Sequence, residues 1–134
     1  MATYRFDFLG EPKSKGRPKF CRRGKFAMAY TPKETREAEE DIKSQLVNQV
    51  KAYGMMPLKG AIIIRIYIIR AKPKSARKKD IYPTKRPDLD NYIKLVLDAM
   101  NTIVFVDDSQ IVILDARKQF GEQPKTHVIV EELE

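Results

Sequence analysis

The sequence predicts an α/β (α+β) fold, a small mixed sheet of about four strands with two main helices packed on it. Four segments carry strand-like apolar patterns and two carry helix-spaced ones. Stretches rich in Pro, Ser and basic residues separate several of them. At 134 residues the chain has the length of one domain, and 43% apolar residues suffice for a modest core. One domain over 1–134 is expected, with no internal repeat.

Tyr4, Phe6 and Phe8 alternate with Arg5 and Asp7, as in a short strand with one buried face. A helix is expected over TPKETREAEEDIKSQLVNQVKAYG. Thr31 is its N-cap, Pro32 its first helical residue, Glu34 completes a capping box and Gly54 ends it. Ala38, Ile42, Leu46 and Val50 form its core stripe, and the acids of its first half form a solvated face. AIIIRIYIIR, from Ala61, is apolar on both faces over much of its length, as a central strand or one at a subunit contact would be. Leu89, Ile93, Val96, Leu97 and Met100 mark a second helix, with Asp88 at its N-cap and Asn101 at its end. Ile111–Phe120 and Thr126–Glu131 read as two strands joined near GEQPK.

Composition removes several function classes. Cys21 is the only cysteine and His127 the only histidine, so neither an intrachain disulfide nor a Cys/His zinc site can form. MATYRFDFLG lacks the apolar run of a signal peptide, and Ala61–Ile69 is far shorter than a membrane span. The expectation is a soluble, cytoplasmic protein with no membrane partner and no small-molecule cofactor.

The net charge is +8 and unevenly spread. Residues 11–25 hold seven basic residues (Lys13, Lys15, Arg17, Lys19, Arg22, Arg23, Lys25) against one acid. Residues 71–86 hold another seven (Lys72, Lys74, Arg77, Lys78, Lys79, Lys85, Arg86), also against one acid. Both stretches are expected to be loops that grip a phosphate backbone, the alternative being that they only solvate the fold. Phe20, Phe26 and Tyr82, in or beside them, either stack on bases or pack locally.

Against this basic background the chain gathers acids. Asp88, Asp90, Asn91 and Lys94 sit at the start of the second helix, and Asp107–Asp108 follow its end. Carboxylates repel at close range, so a cluster of them invites a hard divalent cation such as Mg²⁺. Asp90, Lys94 and Asp98 lie along one helical stripe, a spacing that is also an ordinary helix-stabilising pattern. Asp108 can meet Asp90 if the chain returns. The helix advances about 15 Å over about ten residues, and the seven residues Asn101–Asp107 can span roughly 23 Å. Helix caps and turns remain the competing explanation of these acids.

The segment RPDLDNYIKLVLDAMN…VDDSQIV resembles the signature of the RusA family of Holliday-junction resolvases, D-L-D-N-x-x-K, then D-A-L, then D-D-x-Q-[IV]. GEPKSKGRPKF and AYTPKET resemble the family's N-terminal loop and first helix, so the likeness spans most of the chain. Met100 stands where leucine is usual, a swap compatible with a core. The resemblance implies a homodimer that resolves Holliday junctions by paired symmetric phosphodiester hydrolysis, in recombination and repair. It assigns Asp88, Asp90 and Asp108 as metal-binding and catalytic acids, Asp107 as a neighbouring acid, and Lys94 as the catalytic lysine. Mg²⁺ is the implied ion, with Mn²⁺ able to substitute.

In that chemistry Lys94 stabilises negative charge on the phosphorane or leaving oxygen, since surrounding acids favour its charged form. Asn91 orients a ligand or caps the turn, and Asp98 orients Lys94. A two-fold dimer would match the two equivalent strands of a four-way junction. The alternatives are a non-catalytic nucleic-acid-binding module and a metal nuclease for other branched DNA or RNA.

Overall fold

The computed structural model describes residues 2–16, 19–24, 26–30 and 32–133, without the side chains of 19–21, 23 and 26–30. Arg17, Lys25 and Thr31 therefore lie outside the described residues, as do the side chains of Lys19, Phe20, Arg23 and Phe26. The elements run β1 (Ala2–Leu9), β2 (Lys19–Arg23), β3 (Phe26–Tyr30), α1 (Lys33–Tyr53), β4 (Ile62–Ala71), α2 (Leu89–Met100), β5 (Ile111–Gly121) and β6 (Lys125–Glu132), with a 3-10 turn at Asp108–Gln110.

The main sheet has the order β1-β6-β4-β5. β4 is parallel to β5 and antiparallel to β6, and β6 is antiparallel to β1, so the fold is α+β with a mixed sheet. Its parallel pair needs a crossover, and α2 supplies it. β4 is interior, which accounts for isoleucine on both its faces. Ile62, Ile64, Ile66 and Ile68 are fully buried, each worth about 1.5–3 kcal/mol. Ile63, Arg65, Tyr67 and Ile69 on the other face are half-buried. Phe6, Phe8, Val128 and Val130 complete the buried face of the sheet, and Leu46, Tyr92, Leu95, Val96 and Met100 cover it from the helices.

The stripe expected on α1 is present: Ile42 and Leu46 are buried, and Ala38 and Val50 pack against the core. Gly54 ends α1 in the left-handed region at φ 64°, its N–H donating to Lys51 O at 3.0 Å. The start differs from expectation. Pro32, expected as the first helical residue, occupies the N-cap position and makes no side-chain cap bond, while the expected cap Thr31 lies outside the described residues. Proline has no side-chain acceptor to offer.

The first basic stretch is not wholly a loop. Lys19–Arg23 pairs with Phe26–Tyr30 as a separate two-stranded sheet. Only two residues separate the paired Arg23 and Phe26, and Gly24 takes φ 60°, the conformation tight hairpins require.

The two edges of the main sheet are treated differently. On β1, the amides of Asp7 and Leu9 donate to Gln49 Oε1 and Gln45 Oε1 at 2.9 and 2.7 Å, and Arg5 N donates to Tyr53 Oη at 2.9 Å. Helix α1 thus seals that edge with three side chains. Among the described residues the edge of β5 is open apart from the Phe120 amide, which donates to Ile81 O at 3.1 Å.

Candidate metal and DNA-contact site

Helix α2 carries most of the residues singled out above. Its N-terminal end is approached by the second basic loop, held in place by Lys118 of β5. The ammonium of Lys118 donates to the carbonyls of Lys85 and Pro87, both at 3.1 Å. Asp88 follows in an extended conformation (φ −70°, ψ 147°) at the N-cap position, and its carbonyl accepts the amide of Asn91 at 3.2 Å. Its carboxylate caps nothing. A side chain that could have satisfied the helix amides is instead exposed and free to bind. Asp90 is exposed in the first turn, and Lys94, one turn on, is 60% exposed.

Asp98 links two lysines. Its Oδ1 stands 3.6 Å from Lys94 Nζ, and its Oδ2 accepts a short hydrogen bond from Lys15 Nζ. Lys15 Nζ also lies 3.9 Å from Glu39 Oε1, and the Lys15 amide donates to Asn91 O at 3.0 Å. So Lys15 ties the N-terminal loop to both helices, and its charge is already matched by acids. Beside it, the Gly16 amide donates to Thr35 Oγ1 at 2.9 Å.

The two adjacent aspartates behave differently. The Asp107 carboxylate accepts the Ser109 amide at 3.3 Å, and Gln110 Oε1 accepts the Asp107 amide at 2.8 Å, a reciprocal capping box on the 3-10 turn. Hydrogen bonds from Ser109 hold the Asp107 carboxyl below the usual carboxylate range. Gln110 also donates to the carbonyls of Leu58 and Gly60 at 2.8 and 2.9 Å. Asp108 has no part in that capping box. Its amide donates to Asn101 Oδ1 at 3.1 Å, which holds it at the C-terminal end of α2.

The chain therefore does not return to the start of the helix. Twelve residues of α2 separate the two ends, roughly 18 Å at 1.5 Å per residue. Among the described residues no three His, Cys, Asp or Glu side chains gather as metal ligands. Among the described residues of one chain, Asp88, Asp90 and Asp108 do not gather into the expected cluster. The reason is local: the 101–107 segment pairs through Phe105 with Leu58 and Asn101 instead of extending, and Val104 and Phe105 are fully buried. Asp88 and Asp90 offer hard oxygen donors that suit Mg²⁺, but two carboxylates are fewer protein ligands than three.

The basic loops are presented as expected where they are described. Lys13, Arg22, Lys72, Lys74, Arg77, Lys78, Lys79, Lys85 and Arg86 are exposed. Lys72 is partly committed, donating to Lys78 O at 3.0 Å. Tyr82 is 65% exposed, so it is not locally packed.

Sequence reasoning missed Lys118 altogether, and it placed Asn101 at the helix end and Gln110 in a motif without the bonds they make. Gln110 stands in the D-D-x-Q motif, where its place three residues after Asp107 signals a capping box. Nothing local marks Lys118, whose partners lie 31 and 33 residues away.

No helix among the described residues is long and apolar enough to cross a membrane. A curated relative, "Uncharacterized protein YqaN" of Bacillus subtilis (strain 168), is 32% identical over 146 aligned positions, covering 99% of each chain. Residues 10–131 match the Endodeoxyribonuclease RusA family. With that match taking in both helices, both ends of α2 and every strand of the main sheet but β1, the chain belongs to the RusA endodeoxyribonuclease family.

Proposed function

We propose that the protein is a divalent-metal-dependent Holliday-junction resolvase, cutting opposed strands of a four-way DNA junction as a homodimer in which each site draws on both chains. Family membership supports endonuclease chemistry on DNA. The observation that carries the rest is the division of carboxylates: Asp88 uncapped and Asp90 exposed at one end of α2, Asp108 at the other.

A second copy resolves that division. β5 is an eleven-residue edge strand, and Val112, Ile113 and Leu114 on it are 59%, 50% and 47% exposed. An open apolar edge of this length is a template for another strand. Two-fold pairing is antiparallel, and centred on Ile113 or Leu114 it sets Asp108 of one chain opposite Lys118 or Phe120 of the other. Lys118 is the residue bonded to Pro87 O, next to Asp88. The dimer so formed has two equivalent three-carboxylate sites.

Asp88, Asp90 and the second copy's Asp108 would hold Mg²⁺, with Mn²⁺ as a substitute. When bound, the ion supplies Lewis-acid stabilisation of the phosphoryl oxygens and a water of lowered pKa. Lys94, kept in position by Asp98, stabilises charge on the leaving oxygen as the P–O bond breaks and the water oxygen bonds to phosphorus. The exposed lysines and arginines of the two basic stretches hold the phosphates of the arms.

The test is nicking of a synthetic four-way junction by wild type and Asp90→Asn, in Mg²⁺ and in EDTA, with linear duplex, flap and RNA as controls. Symmetric nicks confined to the junction, present in Mg²⁺ and lost in EDTA and in the variant, are expected. Cutting in EDTA, or wild type that cuts none of the substrates, overturns the reading.

A further inference from the structure

Immediately ahead of Asp88 the second basic loop folds over the ends of β4 and β5 and borders a half-open cavity of about 450 Å³. That is the size range of small-molecule sites, about 300–1,000 Å³. Its walls carry one acid, Asp80, whose carboxylate accepts the Arg77 amide at 2.9 Å, against four basic residues and two aromatic ones. Tyr82 and Phe120 supply aromatic surface, and Arg70, Arg77 and Arg86 supply cations. The Tyr82 ring is not used in the core, at 65% exposure. Arg70 has spare donor capacity. One Nη donates to Arg86 O at 3.4 Å, while its buried Nε has no hydrogen-bond partner among the described residues; Glu11 Oε1 stands 3.6 Å away, a charge contact only.

We propose that this cavity takes one unstacked nucleotide of the substrate, its base against Tyr82 and its phosphate on the arginines; the proposal rests on the reading of the protein as a junction nuclease. Aromatic rings beside cations are the composition that binds single-stranded nucleotides, because every base has a stacking face and every link a phosphate. A phosphate alone has no use for the aromatic wall. A base inside a duplex cannot enter without leaving its stack, which costs a few kcal/mol and least where stacking is already broken. A branch point is such a place. Arg86 lines the cavity two residues before Asp88, at most about 7 Å along the chain. The captured nucleotide is therefore a close neighbour of the phosphate that is cut, and capture selects branched over linear DNA.

The experiment pairs wild type, Tyr82→Ala and Tyr82→Phe with a four-way junction that is intact or carries an abasic site at one of the nucleotides flanking the branch point. Nicking in Mg²⁺ and dissociation constants in EDTA are both read, and thermal melting confirms that the variants fold. On the intact junction Tyr82→Ala is expected to lose about 5- to 100-fold, the worth of one stacked base. Tyr82→Phe should match wild type. On the junction abasic at the captured position the Tyr82→Ala loss should fall to less than about twofold. An equal loss on every junction, or no loss on the intact one, overturns the proposal. Because the dissociation constants need no cleavage, they judge the cavity even if wild type nicks nothing, a result that would sink the nuclease reading separately.

Discussion

The amide of Asp108 donates a 3.1 Å hydrogen bond to Oδ1 of Asn101, the residue that ends α2. That bond fastens Asp108 to the end of the helix opposite Asp88 and Asp90. It also separates the roles of two residues that are neighbours in the chain, since Asp107 spends its carboxylate on the turn.

Asp108→Asn is therefore expected to lower nicking at least about 100-fold, given that weaker losses already follow removal of groups behind a metal ligand. Asp107→Asn should retain most of the activity and lower the melting temperature instead. The sign of its pH dependence follows from the carboxyl being held below its usual range. A lowered folded-state value means that the stabilisation is fully present above the unfolded value, about pH 4, and is lost as pH falls through the folded value. The melting-temperature gap between wild type and Asp107→Asn should stay level from neutral pH down to about 4 and then close. A gap that widens on acidification contradicts this assignment.

Asp98 stands between Lys15 and Lys94. Asp98→Asn frees both lysines, and so is expected to reduce stability and nicking together. Lys15→Met should reduce stability alone. A double-mutant cycle between Lys15 and Asp98, read by urea unfolding, should give a coupling of about 0.5–1 kcal/mol, typical of a partly exposed pair. If Lys15→Met instead weakens junction binding without touching stability, Lys15 is a phosphate contact.

Lys118 holds the carbonyls just before Asp88. Lys118→Met keeps the length of the stem and removes both bonds. Faster proteolysis within residues 72–87 and a fall in nicking of about tenfold are expected, comparable with the loss of other groups that orient a site. Unchanged proteolysis would show that the loop is held by its other contacts, such as that of Phe120 with Ile81.

Ile113 is half exposed on the open edge of β5. Ile113→Lys places a charge on that edge, a common device against strand pairing. Sedimentation should then report a monomer, and nicking should be lost while the fold, read by circular dichroism, is kept. An active monomer would refute a site shared between chains.

Much of the fold was legible because alternation and helical spacing report burial directly. Tyr4–Phe8, Ile62–Ile69 and Leu89–Met100 each present the face expected of them. The hairpin at 19–30 was hidden by its charge. KFCRRGKF reads as a basic loop, yet Gly24 between two short runs was the signal that could have found it. The acids were legible as a group but not in their arrangement. Whether Asp108 returns to Asp90 depends on Phe105 docking beside Leu58, 47 residues earlier. Lys15 was indistinguishable from its basic neighbours, because its partner Asp98 is 83 residues away.

Mixing two inactive variants tests the central claim most directly. Asp90→Asn and Asp108→Asn are each prepared, shown to be dead, then unfolded and refolded together and assayed for nicking of a four-way junction in Mg²⁺. With sites shared between chains, a mixed dimer carries one site with both substitutions and one with neither, so nicks on single strands should reappear. If each site lies within one chain, every site keeps one substitution and the mixture stays as dead as its parts.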